Sequence, residues 1–435
     1  MKKLFKEKLW KKAKRNILGG NLLLSKRPEM FLPDYWPSYF KKADGVYVWD
    51  LRNNKYIDMI FAVGQSTLGY ANKSIDNEVK KFVSKGNMTT LNCPEEVILS
   101  EKLLKIHKWA QMVKYARSGG EANAITIRIA RAAAKNDKVA VCGYHGWHDW
   151  YLSVNLTSKN GLNDHLLKGL DPVGVPKELK NKIYTFSKNN FEEIQLIHKK
   201  NNIGIIKLEI ARNELPDKKF LKKLRKFCNK EKIILIFDEC TSGFRRNLGG
   251  IHLTTGVSPD LAMFGKAMGN GYAITAILGK RKIMKAAEKS FISSTFWTER
   301  VGFVAANKTI ELMEKTKSYN KVVSNGKYIN KKWRELADKH QIDLSISGIE
   351  SITSFSFKKN NILYKTYITQ EMLKRGFLAS NLIYVSTKHT KKIIDKYIFN
   401  LDKVFKKIKE HSISKKKTKL LLGLKSHTTF KRLND

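Results

Sequence analysis

A lysine at position 266 has neighbours that point to chemistry rather than to the protein surface. The chain carries 83 lysines and arginines, and most such side chains belong in water. Lys266 instead lies between the apolar run "DLAMF" (260–264) and the glycine-rich stretch "AMGNGYAI" (267–274). Burial lowers the pKa of an amine, and an uncharged amine is a nucleophile that forms Schiff bases with carbonyl compounds. A surface lysine that extends its amine to water is the alternative, and it fits these flanks poorly. We predict a reactive amine here.

An aspartate precedes this lysine by 28 residues and also ends an apolar run. Asp238 follows "IILIF" (233–237), and a carboxylate in such a place is costly unless a cation or a donor pairs with it. Three partners fit the sequence. The first is an ion pair with Arg245 or Arg246, and the second is a metal ion shared with Glu239. The third is the protonated nitrogen of a pyridine ring.

A short glycine turn connects a strand to a helix in "ARSGGEANAITIRIARAA" (116–133). Ser118, Gly119 and Gly120 form the predicted turn, and the helix is expected to begin near Glu121. The first turn of a helix offers free N–H groups and the positive end of the helix dipole, which suits a phosphate. An ordinary strand-to-helix turn is the alternative.

Aromatic residues follow another strand in "GYHGWHDW" (143–150). Ligands of open α/β sheets bind at the carboxyl ends of strands, so the ring of Tyr144 could stack on a flat cofactor there. His145 and His148 could equally be hydrogen-bonded structural residues. Two histidines with no third ligand nearby do not make a metal site, and we expect no metal.

Taken together, these segments match the needs of one cofactor. Pyridoxal phosphate requires a lysine that holds it as a Schiff base and an acid that faces its ring nitrogen. A phosphate turn, an aromatic ring, Asp238 and Lys266 follow one another at the predicted ends of successive strands. The loop "SSTFWTER" (293–300) adds hydroxyl groups, among them Thr295, that could donate to phosphate.

The elements that would position these residues alternate along the chain. Helical periods separate short apolar runs, which is typical of an α/β fold with a mainly parallel central sheet flanked by helices. The predicted strands are "MVKYA" (112–116), "KVAVC" (138–142), "IGIIKLEI" (203–210), "IILIF" (233–237) and "LAMF" (261–264).

The pattern also predicts a smaller α+β domain. We expect residues 1–70 to contribute an N-terminal segment with a hairpin over 46–59, and residues 71–310 to form the large cofactor-binding domain. Residues 311–435 read as helix, two strands and a long amphipathic helix, and complete the small domain.

Composition limits the remaining classes of function. The net charge of +44 is spread over the whole chain and carries no RNA-binding or zinc-finger spacing, so we expect no nucleic-acid partner. No apolar run approaches the roughly 18 residues of a membrane span, and the basic N-terminus lacks the apolar core of a signal peptide. The four cysteines show no CxxC spacing. These features favour a reducing compartment, the cytoplasm.

Four of these segments resemble the class III aminotransferases of fold type I, and within them the glutamate-1-semialdehyde 2,1-aminomutase-like group. The segments are "GGEANAITIRIARA", "YHGW", "FDECTSGFR" and "FGKAMGNGYAI", and the resemblance spans roughly residues 15–435. It implies that Lys266 carries pyridoxal 5'-phosphate and that Asp238 binds its pyridine nitrogen. It also implies a phosphate site at Ser118–Ala122.

Further contacts are implied by the same resemblance. Tyr144 would lie over the cofactor ring and Cys240 on the opposite face, while Thr295 would reach the phosphate of the neighbouring subunit. A homodimer with two shared sites follows from that last role. The cofactor-binding residues expected in all are Ser118, Gly119, Gly120, Tyr144, His145, Glu209, Asp238, Cys240, Lys266 and Thr295.

The sequence departs from the family at one phosphate-site residue and, more widely, on the substrate side. Gly120 replaces the usual hydroxyl residue, and "KLEIARNE" (207–214) replaces the Glu-Pro-Val pattern but keeps Glu209. Arg27 is the candidate for gripping a substrate carboxylate, although its neighbours differ. The segment "FAVGQSTLGY" (61–70) lacks the expected Ser-Trp-Gly.

The implied activity is amino-group transfer between a small amino donor and a carbonyl acceptor. Two enzymatic alternatives remain open: an aminomutase acting on glutamate-1-semialdehyde, and a transaminase acting on a keto-sugar nucleotide. A third hypothesis, motivated by the net charge of +44, is a non-catalytic basic binding protein on the same fold. Retention of both Asp238 and Lys266 argues against it.

Overall fold

The computed structural model describes residues 8–159, 161–165, 168–414 and 419–427. The chain divides into two compact units: one combines Met1–Asn72 with Ser318–Asp435, and the other is Lys73–Lys317. Parts of the predicted N- and C-terminal segments, residues 1–7, 415–418 and 428–435, lie outside the described residues.

The N-terminal part of the first unit forms an antiparallel three-stranded arrangement. The hairpin predicted over residues 46–59 is confirmed, with Tyr47 opposite Ile57 and Asn53 in the turn at a φ of 60°, which asparagine tolerates better than most residues. An additional edge strand escapes the sequence pattern because it is mostly exposed and rich in charge. The elements are α1 (Lys8–Asn16), β1 (Phe40–Asp44), β2 (Tyr47–Asp50) and β3 (Lys55–Asp58).

A turn of left-handed backbone, α2 (Phe61–Gly64), follows β3. All four of its residues have positive φ, a conformation that is unfavourable for a β-branched residue such as Val63. Asp58 holds the turn by accepting a hydrogen bond from the backbone N–H of Phe61 at 2.9 Å. The ring of Phe61 also stacks on Tyr70, with centroids 4.6 Å apart. This turn lies in the segment where the sequence leaves the family pattern.

The second unit is built on a seven-stranded sheet. Its order is β4-β10-β9-β8-β7-β5-β6; β10 is antiparallel to both neighbours, and the remaining pairs are parallel. The strands are β4 (Met112–Ala116), β5 (Val139–Cys142), β6 (Ile183–Thr185), β7 (Ile205–Glu209), β8 (Ile234–Glu239), β9 (Leu261–Phe264) and β10 (Thr275–Gly279).

The predicted α/β class with a mainly parallel sheet is therefore confirmed, and all five predicted strands are present. The exception in detail is β6, which the sequence pattern misses. It has only three residues and lies at the edge of the sheet, so it is too short to show a pattern. β10 coincides with the apolar run that follows Lys266, and its antiparallel direction cannot be read from composition.

Helices surround this sheet, and one of them begins at the predicted phosphate turn. α5 packs on β4, β9 and β10, while α11 packs on α3 and α4. The helices of the second unit are α3 (Lys73–Val83), α4 (Glu95–Ile106), α5 (Gly119–Ala134), α6 (Asp149–Leu152), α7 (Val154–Thr157), α8 (Phe191–Asn201), α9 (Lys218–Lys230), α10 (Arg281–Lys285) and α11 (Arg300–Thr316).

The C-terminal part of the first unit contains the predicted helix, two strands and long helix, with one helix and two short strands added before the last helix. Residues 366–373 of α13 are all buried, so α13 has no broad polar face and no helical period to detect. No helix in the described ranges is both long and apolar enough to cross a membrane. The elements are α12 (Ser318–Lys339), β11 (Leu344–Ile349), β12 (Ile352–Phe357), α13 (Asn361–Lys374), β13 (Phe377–Leu378), β14 (Leu382–Tyr384) and α14 (Lys391–Ile413).

Candidate active site

Lys266 lies just beyond the carboxyl end of β9, where the chain turns sharply. Its side chain is half-buried, and its Nζ donates a hydrogen bond to Oγ1 of Thr241 at 2.8 Å. The residue before it is Gly265, where a Cβ would make a tight contact of 3.0 Å with Sγ of Cys240. Lys266 itself has a φ of 42°, an uncommon value that the turn imposes on the residue carrying the amine.

Asp238 lies near the carboxyl end of the neighbouring strand β8 and is 2% exposed. Its Oδ2 is 2.9 Å from Nδ1 of His145 and 3.9 Å from Nζ of Lys207, and its Oδ1 accepts from the backbone N–H of Cys240 at 3.0 Å. Burial alone would raise the pKa of this carboxyl. The charge of Lys207 and the hydrogen bond of His145 outweigh burial, so the pKa of Asp238 lies well below its usual value.

Other partners considered for Asp238 are engaged elsewhere. Nε of Arg245 donates to the backbone carbonyl of Thr241 at 2.6 Å. Glu239 lies 2.6 Å from Nδ1 of His252 and accepts from the backbone N–H of Ile251 at 2.7 Å. The two adjacent carboxylates therefore serve different partners, as expected for neighbouring residues of a strand, whose side chains point to opposite faces.

The helix at the phosphate turn begins two residues earlier than predicted. Ser118 caps α5: its hydroxyl accepts from the backbone N–H of Glu121, and Glu121 accepts from the backbone N–H of Ser118 at 2.7 Å. Gly119 and Gly120 are therefore the first helical residues rather than a turn before the helix. Their N–H groups belong to the open end of the helix, where an anion is favoured.

A side chain at either glycine would make tight contacts. A Cβ on Gly119 would lie 3.0 Å from Sγ of Cys240, and a Cβ on Gly120 would lie 3.1 Å from the ring of His148 and from Nε1 of Trp147. Two aromatic rings thus occupy the position that a hydroxyl side chain at residue 120 would need. The buried Nε2 of His148 has no hydrogen-bond partner among the described residues.

The aromatic pair predicted near the cofactor has two different environments. Tyr144 is half-buried, and burial raises the pKa of its hydroxyl. His145 is fully buried, and its Nε2 lies 3.1 Å from the backbone carbonyl of Cys142. Burial lowers the pKa of His145. Held on both sides, this histidine orients Asp238.

A bidentate ion pair at the end of β7 was not anticipated from the sequence. Nε and Nη2 of Arg212 donate to Glu209 at 2.7–2.9 Å, and Nη2 also donates to Oγ1 of Thr241 at 3.1 Å. Thr241 therefore connects Arg212 to Lys266. The clue in the sequence is an arginine three residues after the glutamate that ends an apolar strand.

A cavity of about 550 Å³ adjoins this ion pair. Neither Asp238 nor Lys266 lines it, so it lies beside these two residues rather than around them. Its polar and charged lining includes Tyr144, Lys188, Glu193, Glu209, Arg212 and Asn213.

Two further predicted site residues, Thr295 and Arg27, are not on the strand ends that carry this cluster. Thr295 begins a short turn and is exposed, next to Phe296, which is 67% exposed. Trp297 in the same turn donates from Nε1 to Glu121 at 3.0 Å, which ties the turn to the start of α5. Arg27 belongs to the other unit, where it is half-buried, and its role stays a prediction.

A mainly parallel sheet with a half-buried lysine, a buried aspartate and an open helix start at one edge defines a fold type I pyridoxal-phosphate enzyme. The Aminotransferase class-III family profile matches residues 33–403. The chain therefore belongs to the class III aminotransferases. It is a pyridoxal-phosphate-dependent enzyme of amino-group transfer, which leaves the third hypothesis, a non-catalytic protein, without support.

Individual relatives agree with this family. The chain is 34% identical to the 3-aminobutyryl-CoA aminotransferase of Cloacimonas acidaminovorans, over 88% of this chain and 92% of that protein. It is 30% identical to the glutamate-1-semialdehyde 2,1-aminomutase of Wigglesworthia glossinidia brevipalpis, over 92% and 98%. The FumI protein of Sphingopyxis sp. MTA144, solved in its PLP internal aldimine form, shares the fold with a TM-score of 0.84 at 22% identity, over 94% and 97%.

The residues present fit the cofactor that the family uses. Gly119 and Gly120 carry no side chain that could cover the N–H groups of the helix start, which suits a phosphate. Asp238 is an ionised carboxylate oriented by His145, as a protonated pyridine nitrogen requires. Pyridoxal phosphate, when bound, supplies a conjugated ring that takes up the electron pair freed at the substrate carbon.

Proposed function

We propose that residues from four segments of the second unit hold and use the cofactor. Lys266 provides the amine for covalent attachment and then moves a proton at the substrate carbon. Asp238 faces the ring nitrogen, and the start of α5 from Ser118 to Gly120 binds the phosphate. Tyr144 covers one face of the ring and Cys240 the other. The position of Cys240 between Gly119 and Gly265 supports its role.

The substrate that this site favours is a small carbonyl compound with a carboxylate, of the glutamate-1-semialdehyde type. The observation that carries this proposal is the contact of both Arg212 and Lys266 with the hydroxyl of Thr241. An arginine binds carboxylates, and a substrate carboxylate would exchange with Glu209 at the Nε and Nη2 donors of Arg212. A carboxylate on Arg212 would keep the reacting carbon of a short substrate near Lys266.

A thioester substrate is the second candidate. The relative with 34% identity is a 3-aminobutyryl-CoA aminotransferase, and its substrate carries its negative charges on a distant nucleotide rather than on a carboxylate near the amine. The cavity beside Arg212 and the basic surface would then matter more than Arg212 itself. The keto-sugar nucleotide predicted as an alternative has no comparable support.

A half-reaction experiment separates these substrates. The enzyme is converted to its amino-loaded form with an amino donor, freed of the donor, and mixed with glutamate-1-semialdehyde, with acetoacetyl-CoA, or with 3- or 4-keto nucleotide sugars. We expect glutamate-1-semialdehyde to restore the starting absorbance spectrum fastest. Faster recovery with the thioester or a keto sugar would reject the carboxylate proposal. An Arg212→Met variant, slowed only with the carboxylated substrate, serves as the matched control.

We also propose a homodimer with shared sites. Thr295 is exposed in the single chain, and it is flanked by Phe291 and Phe296, which are 86% and 67% exposed. Two large aromatic side chains exposed close together in the chain favour a surface that a partner covers. A second copy of the chain would bury them and bring Thr295 to the phosphate of its neighbour.

Mixing two inactive variants tests the shared site. A heterodimer of Lys266→Ala and Thr295→Ala subunits would contain one site with neither substitution, so activity should reappear on mixing. If Thr295 acted within its own subunit, every site would keep one substitution and activity would not return. Light scattering of each variant alone checks that both remain dimers.

We propose the cytoplasm as the location of the protein. Cys93, Cys142, Cys228 and Cys240 are all free thiols, which suits a reducing compartment. Burial raises the pKa of Cys142 and of Cys228 to about 12, so these two thiols would resist oxidation. Fractionation of cells that produce the protein would test the assignment.

A further inference from the structure

A fully buried lysine lies behind the aspartate of the site. Lys207 is the middle residue of β7, whose five residues are all buried, and its exposed fraction is 0%. It pairs across the sheet with Val141 of β5 and with Ile236 of β8. A lysine in the centre of a parallel sheet is unusual, because burying an ammonium group without a partner is costly.

The amine of Lys207 has one close counter-charge. Its Nζ is 3.9 Å from Oδ2 of Asp238 and has no hydrogen-bond partner within the described part of the chain. His145 approaches the same oxygen at 2.9 Å. Oδ2 is therefore shared by two basic groups, while Oδ1 accepts the backbone N–H of Cys240.

We propose that Lys207 is a positioning residue that weakens protonation of the cofactor's ring nitrogen by competing with it for the carboxylate of Asp238. The inference rests on the proposed placement of that nitrogen against Asp238. A pyridinium and an ammonium on one carboxylate repel each other, and the low dielectric of the sheet interior strengthens the repulsion. The site then holds a less electron-withdrawing ring than it would without Lys207.

The competition depends on pH through the charge of Lys207. Burial lowers the pKa of this amine to about 8, against the opposing influence of Asp238, Cys240 and Glu209. His145, which faces the same carboxylate, also feels the charge of Lys207. Below about pH 8 the ammonium is present and ring protonation is weakened. Above that pH the amine is neutral and the carboxylate is left to the ring nitrogen and His145.

The test uses the complete enzyme loaded with pyridoxal phosphate labelled with ¹⁵N in the ring. The nitrogen chemical shift reports ring protonation directly, whatever the activity. In the Lys207→Met variant at neutral pH, protonation of the ring nitrogen should be about tenfold more favourable than in the wild type. This corresponds to a rise of about one unit in the pKa of that nitrogen. The matched control is Lys102→Met, a lysine that donates to the backbone carbonyl of Asn307, and it should match the wild type.

An Asp238→Asn variant tests separately whether the ring nitrogen faces Asp238 and whether Lys207 competes with it. If Asp238→Asn changes the ring-nitrogen shift and Lys207→Met does not, the inference on Lys207 is overturned and the placement of the ring survives. If neither changes it, the ring nitrogen does not face Asp238, and both are overturned. If Lys207 only stabilised the fold as a counter-ion of Asp238, its replacement would leave the ¹⁵N shift of the ring unchanged. The shift therefore distinguishes a positioning role of Lys207 from a purely structural one.

A second measurement needs no variant at all. Coupling between two sites is reciprocal, so a protonated ring should also make Lys207 harder to protonate. With ¹⁵N-labelled lysine, the Nζ of Lys207 should titrate at a lower pH with pyridoxal phosphate bound than with a carbocyclic analogue whose ring has no nitrogen. Equal titration with both cofactors would overturn the proposal even if Lys207→Met failed to fold.

Discussion

Arg212 and Lys266 donate hydrogen bonds to the same hydroxyl, that of Thr241, at 3.1 Å and 2.8 Å. One side chain suits a carboxylate, and the other is the proposed reactive amine. Their shared acceptor fixes the distance between anion recognition and the chemical step. Glu209 compensates the positive charge of the pair through its bidentate contact with Arg212.

Replacing the reactive amine should separate cofactor attachment from folding. In Lys266→Ala, we expect borohydride to fix no cofactor on the protein, and turnover to fall by at least a thousandfold because the proton-moving group is lost. Peptide mapping by mass spectrometry after reduction checks the attachment point. The half-buried side chain makes a hydrogen bond only to Thr241 among those described, so the thermal midpoint should change little. A variant with full activity would contradict the assignment.

Removing the guanidinium should act on substrate binding more than on turnover. Arg212→Met is expected to raise KM for a carboxylated carbonyl substrate by about 10- to 100-fold, the range of a lost charge-assisted hydrogen bond, with a smaller change in kcat. Steady-state kinetics measure both constants. Lys188→Met is the matched control, since Lys188 lines the same cavity but pairs with Glu214. Equal effects of the two variants would mean that general cavity charge, not Arg212, binds the substrate.

Adding the family's hydroxyl at residue 120 should be unfavourable in this chain. Gly120→Ser places a Cβ 3.1 Å from the rings of Trp147 and His148, so these rings must move, at a cost of about 1 kcal/mol in the free energy of unfolding. Urea denaturation measures it. The double variant Gly120→Ser/His148→Ala should recover part of the loss. Additive effects in this double-mutant cycle would show that the two positions do not compete for space.

Lys207 should make stability depend on pH in a defined direction. Its pKa is lowered to about 8 in the folded protein, against an ordinary value of 10.5, so between these values the unfolded chain binds more protons and stability rises with pH. Relative to Lys207→Met, the wild type should gain on the order of 3 kcal/mol across this window. Denaturant titration of the cofactor-free protein at pH 7.5 and 10 checks the sign. If the stability of the wild type relative to Lys207→Met fell with rising pH, the pKa of Lys207 would not be lowered in the folded protein.

Much of the site was predictable because strand ends are visible in the sequence. The apolar runs before Asp238 and Lys266 carry both residues to the same edge of a parallel sheet, and the glycine turn at Ser118–Gly120 predicts a helix start there, which the structure places two residues earlier than expected. The hydrogen-bond and ion-pair partners of these residues could not be predicted from the sequence. The roles of the individual site residues and the domain boundaries at residues 70 and 310 stay predictions.

The sequence by itself determined the fold class, the cofactor and the set of residues at the strand ends, because periodicity and strand termini are local properties. Only the tertiary structure decided which side chains come into contact. In the sequence, nothing distinguishes Lys207 from the many other lysines; in the sheet, its Nζ lies 3.9 Å from Asp238. The proposed role of Arg212 depends likewise on its contact with Thr241, which follows a different strand. Contacts between residues far apart in the chain depend on strand order and packing, and no local pattern records them.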